Sequence, residues 1–155
     1  VIVKVCGERT QVPSLPPPTS SCQSISNATS GTFESPLTGR GPFILSAPGG
    51  TLSFGATAGL SGNWLNLFGE TQIDLLPPID GCERVRLSVL DLEGVITAKA
   101  FNAAGVEVAN AGPLAGSPSP QQLTLEGPGI SRVVLFSSSS KALLLNFCCD
   151  RFMAP

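Results

Sequence analysis

Glycine and proline interrupt this chain so often that no window shows sustained helical periodicity. There are 17 glycines and 14 prolines among 155 residues, about a fifth of the chain, against roughly 12% in ordinary proteins. Between these breaks lie short segments rich in β-branched and aromatic residues, which is the pattern of strands joined by turns. The sequence therefore predicts an all-β protein.

One segment shows the strand pattern most clearly. Val85, Leu87 and Val89 alternate with polar residues, so that one face points inward and the other outward. Similar short segments, separated by turn residues, are Thr32–Glu34, Phe43–Ser46, Thr51–Phe54, Asn63–Phe68, Gln72–Leu76, Val95–Phe101, Val106–Ala109, Leu123–Leu125, Ser131–Phe136 and Ala142–Cys148. Roughly eight to eleven short strands of this kind predict a two-sheet antiparallel β-sandwich, or jelly roll. We expect this domain to span residues 31–155, with Ala111–Pro120 as a loop.

Residues 1–30 read as an arm attached to that domain. Val1–Cys6 is dense in β-branched residues and predicts a strand, whereas the following stretch, with three consecutive prolines at 16–18, predicts an extended tether. Val1, Ile2, Val3 and Val5 would form an assembly arm that pairs with an open sheet edge on a neighbouring copy. The alternative is that this strand folds back as an edge strand of its own sandwich.

Five cysteines bear on the cellular compartment in which the protein is found. Cys6, Cys22, Cys82, Cys148 and Cys149 show no zinc-site spacing, and there is no histidine to complete such a site. Disulfides in an exported, extracellular protein are the interpretation that we favour, with free thiols in a reducing cell as the alternative. Cys148 and Cys149 would point to opposite faces of a strand. We expect Cys6 or Cys22 to bond with Cys148, Cys149 or Cys82, within one chain or between chains. The odd count means that at least one thiol stays free or pairs with another molecule.

The composition excludes several functions. The chain has no histidine and no tyrosine, and only 13% of its residues are charged, with a net charge of −2. No imidazole base is therefore available for a serine nucleophile, and we predict no catalytic residues, no enzyme and no nucleic-acid partner. No segment is long and apolar enough to span a membrane. We predict no cofactor and no metal, with one alternative, a structural calcium ion held by Asp80 or by Asp91 with Glu93.

Glycan binding is the main alternative function. Exposed aromatic rings stack on sugars, and neighbouring polar side chains bind the hydroxyl groups. The only tryptophan, Trp64, is flanked by Asn63 and Asn66, so these three residues are the candidate ligand contacts. Trp64 also stands in an apolar run with Leu65, Leu67 and Phe68, and this run favours a position of Trp64 in the core.

The second half resembles the galactose-binding-domain-like jelly rolls of exported bacterial proteins. The resemblance is carried by the hairpin Val95–Val108, the segment Gln122–Val133 with its Gly-Pro-Gly-Ile turn, and the closing strand Lys141–Phe147. Phe101-Asn102 stands where that group has Tyr-Asp, and Leu145-Asn146-Phe147 where it often has Asp-Asn-Leu. The resemblance implies a jelly-roll fold and export, and it implies no particular ligand.

Taken together, these features favour a non-catalytic extracellular structural or assembly subunit of a surface, filament or coat. Copies of the chain, in a homo-oligomer or polymer, would be joined by the N-terminal arm and by disulfides. The alternative is a carbohydrate-binding jelly-roll module whose partners are glycans.

Overall fold

The computed structural model describes residues 19–27, 29–38, 43–57, 60–76 and 79–151. The predicted arm strand, with Val1, Ile2, Val3, Val5 and Cys6, lies outside the described residues. The strands are β1 (Thr19–Ser24), β2 (Ser26–Asn27), β3 (Gly31–Glu34), β4 (Phe43–Ser46), β5 (Thr51–Thr57), β6 (Leu60–Leu75), β7 (Cys82–Asp91), β8 (Val95–Asn102), β9 (Glu107–Ala115) and β10 (Gln121–Arg151). Every pairing among them is antiparallel, which confirms the predicted fold class. No helix in the described part of the chain is suited to crossing a membrane.

The strands form two layers that share two long strands. Layer I contains β3, β5, the first part of β6, and β1 with β2. It also contains β7, which lies between the first and last parts of β10. Layer II contains, in spatial order, β4, the second part of β6, the middle of β10, β8 and β9. Because β6 and β10 pass from one layer to the other, the hydrogen bonding is continuous around the sandwich.

The changes of layer coincide with breaks in the sequence pattern. Gly69, at φ +70°, lies where β6 leaves layer I, and a positive φ of this kind is readily adopted by glycine. In β10 the register shifts after Glu126, ahead of Ile130, and again between Ser137 and Ala142. Gly127-Pro128-Gly129 and the serines 137–140 lie between segments that were predicted as separate strands, and they redirect one continuous strand instead.

The core lies between the two layers and is built by alternating residues. Val85, Leu87 and Val89 are at most 1% exposed, as their period-two pattern predicts. The contact between Phe43 of β4 and Phe147 of β10, with ring centroids 4.9 Å apart at 69°, joins the layers edge to face.

Two disulfides link the strands of layer I. Cys22 of β1 bonds to Cys148, and Cys82 of β7 bonds to Cys149. The side chains of the adjacent cysteines of β10 thus point to opposite faces of the strand, Cys149 into the core and Cys148 to the other side. Four of the five cysteines are consumed within the chain, which removes them from intermolecular bonding.

Two boundaries differ from the sequence-based prediction. β1 and β2 lie inside the segment predicted as a tether, and they pair with β10 and β6. β9 continues to Ala115 through the stretch predicted as a loop. Pro113 is accommodated there because β9 is an edge strand, paired only with β8 among the described strands.

Candidate functional site

The outer surface of layer II carries two phenylalanines on a polar background. Phe136 lies on the central strand of the layer and is 53% exposed. Its register partners are Glu70 on one side and Thr97 on the other. Phe101 lies on β8, four residues after Thr97. It is on the same face as Phe136, because it pairs with the exposed Arg132. At about 3.3 Å per residue, the two rings are separated by about 13 Å along the strands.

We call this surface the aromatic face. It is formed by Glu70, Gln72, Asp74, Thr97, Lys99, Phe101, Arg132, Val134 and Phe136.

Polar groups between the two rings are held by one another. Arg132 Nε donates to Asp74 Oδ1 at 2.7 Å, and Gln72 Nε2 donates to Asp74 Oδ2 at 3.1 Å. Lys99 Nζ lies 3.7 Å from a carboxylate oxygen of Glu107. The amide oxygen of Gln72 and the Nη groups of Arg132 are not used in these contacts, so the network presents an acceptor and donors in fixed positions.

One end of the aromatic face is concave. A pocket of about 100 Å³ lies beside the β8–β9 turn, where Asn102 Oδ1 accepts the backbone N–H groups of Ala104 and Val106. It is lined by Asp74, Phe101, Asn102, Ala103, Gly105, Ser131 and Arg132. Phe101 therefore forms one wall of a polar pocket, an arrangement suited to holding one ring of a hydroxyl-rich ligand.

The residues proposed from the sequence lie on layer I. Trp64 is half-buried on the outer face of β6, packed against a small cluster of Leu90, Leu143 and Leu145 that is separate from the main core. A Cβ atom on Gly62 would lie 3.7 Å from its indole ring. Trp64 is therefore outside the main core, and it has more apolar contacts than an open stacking platform has.

Asn63 and Asn66 differ in their surroundings. Asn63 Nδ2 donates to the carbonyl of Asn27 at 3.4 Å. Asn66 Nδ2 donates to Ser53 Oγ at 3.0 Å and faces outward with Trp64. Asn66 also lines a groove at the edge of the sandwich, whereas Asn63 does not.

Two arginines of β7, Arg84 and Arg86, converge on one buried carboxylate. Asp150 is 0% exposed and accepts from Arg84 Nε at 2.8 Å and from Arg86 Nε at 2.7 Å. These hydrogen bonds raise the pKa of both guanidinium groups above the ordinary arginine value. Arg84 and Arg86 therefore form an ion-pair cluster with a buried carboxylate, while their own side chains stay partly exposed.

One carboxylate oxygen of the candidate calcium residue Asp91 is engaged within the chain. Asp91 Oδ1 accepts the backbone N–H groups of Glu93 and Gly94, at 3.1 and 2.9 Å, which fixes the β7–β8 turn. Asp80 is half-buried and donates its backbone N–H to Leu76. Among the described residues, no three His, Cys, Asp or Glu side chains are grouped as a metal site requires.

Sequence reasoning missed both aromatic residues of the aromatic face, although the same signal was present for each of them. In Ser131–Phe136 the aliphatic residues Val133 and Leu135 are buried. Phe136 therefore lies on the opposite face of the strand, together with Arg132. A large aromatic residue on the polar face of a strand is a candidate ligand contact. Phe101 carried the same signal, because it shares the outer face of β8 with Thr97 and Lys99 and alternates with buried aliphatic residues. Its position beside Arg132 had no such signal, because a register shift in β10 sets it.

Comparison with known proteins gives structural neighbours alone. No protein-family model and no curated protein matches the sequence. Among solved structures, a mutant family 29 carbohydrate-binding module is similar at a TM-score of 0.45 and 10% identity, covering 86% of this chain and 91% of that one. A low-affinity xylan-binding module from Roseburia intestinalis is similar at 0.43 and 14%, covering 84% and 94%. A family 6 module from Clostridium cellulolyticum, in complex with xylose, is similar at 0.40 and 18%, covering 64% and 85%.

These three neighbours are described as carbohydrate-binding modules, which is the class of the alternative interpretation. The interpretation of this chain as a structural assembly subunit joined by disulfides is wrong. The disulfides give a physical reason, since Cys22, Cys82, Cys148 and Cys149 are bonded within one chain.

Proposed function

We propose that this protein is a non-catalytic glycan-binding module and that the aromatic face is its binding surface. The observation that carries the proposal is the placement of Phe136 and Phe101 on one solvent-facing sheet surface, about 13 Å apart. Sugar rings have apolar C–H faces that stack on aromatic rings, and hydroxyl edges that need fixed donors and acceptors. The network of Gln72, Asp74 and Arg132 supplies such groups between the rings.

The neighbouring structures are too distant to transfer a ligand to this chain, so the proposal depends on its own geometry. We further propose that the fold is a jelly roll of the galactose-binding-domain-like kind. Two disulfides support an extracellular location, because such bonds persist in oxidising compartments. Asn63, Trp64 and Asn66 stay proposed as additional contacts on layer I.

The test is binding of soluble neutral polysaccharides, measured by affinity electrophoresis and calorimetry. Phe136→Ala should weaken binding about tenfold, which corresponds to about 1.4 kcal/mol, and leave the melting temperature nearly unchanged because the ring is half exposed. Phe101→Ala should weaken binding similarly. Leu92→Ala is the matched control and should bind like the wild type, because it truncates a 43% exposed side chain of the β7–β8 turn that does not belong to the aromatic face. Wild-type affinity in both phenylalanine variants would contradict the proposal.

A further inference from the structure

A polar groove runs along the edge of the sandwich where β6 passes between the layers. Its volume is about 410 Å³, within the usual range of small-molecule sites. It is lined by Thr32, Ala47, Pro48, Gly49, Thr51, Leu52, Ser53, Asn66, Gly69, Glu70 and Thr71. We call it the edge groove.

The edge groove begins where the aromatic face ends. Glu70 lines the groove and is also the direct cross-strand partner of Phe136. Side chains of directly opposed residues in a sheet have Cβ atoms about 4.5–5.5 Å apart. A ligand that stacks on Phe136 therefore reaches Glu70, and with it the opening of the edge groove, without leaving the protein surface.

The lining of the edge groove is suited to hydroxyl groups. Thr32, Thr51 and Ser53 contribute hydroxyls, and Asn66 contributes an amide that is oriented by its hydrogen bond to Ser53. An amide has two donors and an acceptor, so this bond leaves part of its capacity for a ligand. The Pro48-Gly49-Gly50 turn leaves space beside it, since a Cβ atom added at Gly49 or Gly50 would meet nothing within 4 Å.

The charges select a neutral ligand. Glu70 is the one charged residue among the described lining residues, and none is Lys or Arg. On the aromatic face, Arg132 is paired with Asp74 and Lys99 with Glu107. A uronate, sulfate or phosphate group would meet Glu70 without a compensating cation there, and like charges in proximity are unfavourable.

We propose that the edge groove continues the aromatic face, so that the module binds a neutral polysaccharide along its chain and not only at a terminal sugar. This inference rests on the proposed function and specifies its ligand. Trp64 lies beyond the groove, two residues from Asn66 on the same strand face and hence about 7 Å away. Under this proposal, Trp64 on the outer face of layer I is placed to contact a ligand that extends past the edge groove.

The test is the dependence of affinity on ligand length, measured by calorimetry with neutral oligosaccharides from the disaccharide to the octasaccharide. Wild-type affinity should continue to increase beyond the trisaccharide. The double variant Thr51→Val with Asn66→Ala should bind the octasaccharide about tenfold more weakly and the trisaccharide normally. Phe136→Ala should weaken both, and an oligogalacturonate of matched length should not bind to the wild type.

The outcomes separate the two proposals. Equal wild-type affinity for trisaccharide and octasaccharide, or unchanged octasaccharide binding by the double variant, overturns the edge groove and leaves the aromatic face intact. No binding of any neutral glycan by the wild type overturns both. Thr32→Val, a near-isosteric change at an exposed position, provides a second variant if the double variant unfolds, and it should produce the same length-dependent loss.

Discussion

At the scale of single residues, the most consequential side chain away from the proposed binding surfaces is Asp150. It is fully buried and receives three charge-assisted hydrogen bonds, from Arg84 Nε, Arg86 Nε and Arg86 Nη2, at 2.7–2.8 Å. Because these contacts raise the pKa of both arginines, the stabilisation that the charged guanidinium groups provide would be lost only as the pH increases through those raised values. The cluster therefore stays ionic throughout the ordinary alkaline range.

Asp150→Ala should reduce the free energy of unfolding by about 3 kcal/mol, because it removes a fully buried carboxylate that accepts charge-assisted hydrogen bonds from both arginines. Asp150→Asn should cost less, because the amide oxygen still accepts. Asp74→Ala removes a more exposed member of an ion pair, with a side chain that is 28% exposed, and should cost at most about 1 kcal/mol. Urea denaturation at neutral pH measures the free energy of unfolding of all three variants. Equal losses of stability for Asp150→Ala and Asp74→Ala would contradict the larger structural role of the buried Asp150 cluster.

At the scale of elements, the sequence predicts segments better than it predicts their connections. Leu123–Leu125, Ser131–Phe136 and Ala142–Cys148 were each predicted as strands, and each lies in β10. That they form one strand crossing both layers depends on pairing with β6, β7 and β8, and local patterns carry no information on partners. Alternation with buried residues places both Phe136 and Phe101 on the outer faces of their strands. Their positions relative to each other and to the polar network depend on the register between strands. The edge groove combines residues from β3, β5 and β6, so it too is set by pairing.

β1 shows what a covalent link contributes to one element. Cys22–Cys148 closes a loop of 126 residues and holds β1 on β10. Replacing both cysteines by serine should lower the free energy of unfolding by about 2–5 kcal/mol and increase amide exchange in β1 first. Cys22 is exposed, whereas Cys82 and Cys149 are at most 1% exposed. Mild dithiothreitol should therefore reduce Cys22–Cys148 before Cys82–Cys149, as read by alkylation and peptide mapping, and reduction in the reverse order would contradict the placement of β1.

At the scale of the whole molecule, the sandwich separates residues that stabilise it from residues that are available to a ligand. β4 and the last part of β10 belong to different layers and meet through Phe43 and Phe147. Phe136 lies on the opposite side of layer II, facing solvent. The same residue type thus holds the layers together on one surface of layer II and is exposed on the other.

This separation predicts opposite consequences for one chemical change. Phe43→Ala removes a ring that is 2% exposed and should reduce the free energy of unfolding by about 3–5 kcal/mol. The folded fraction should still bind glycan with wild-type affinity, because the aromatic face and the edge groove are formed by other residues. Phe136→Ala should do the reverse, with lost affinity and retained stability. Thermal unfolding and calorimetry on the two variants side by side provide the measurement. A loss of affinity in folded Phe43→Ala would mean that the binding surface depends on the spacing of the layers and is not carried by layer II alone.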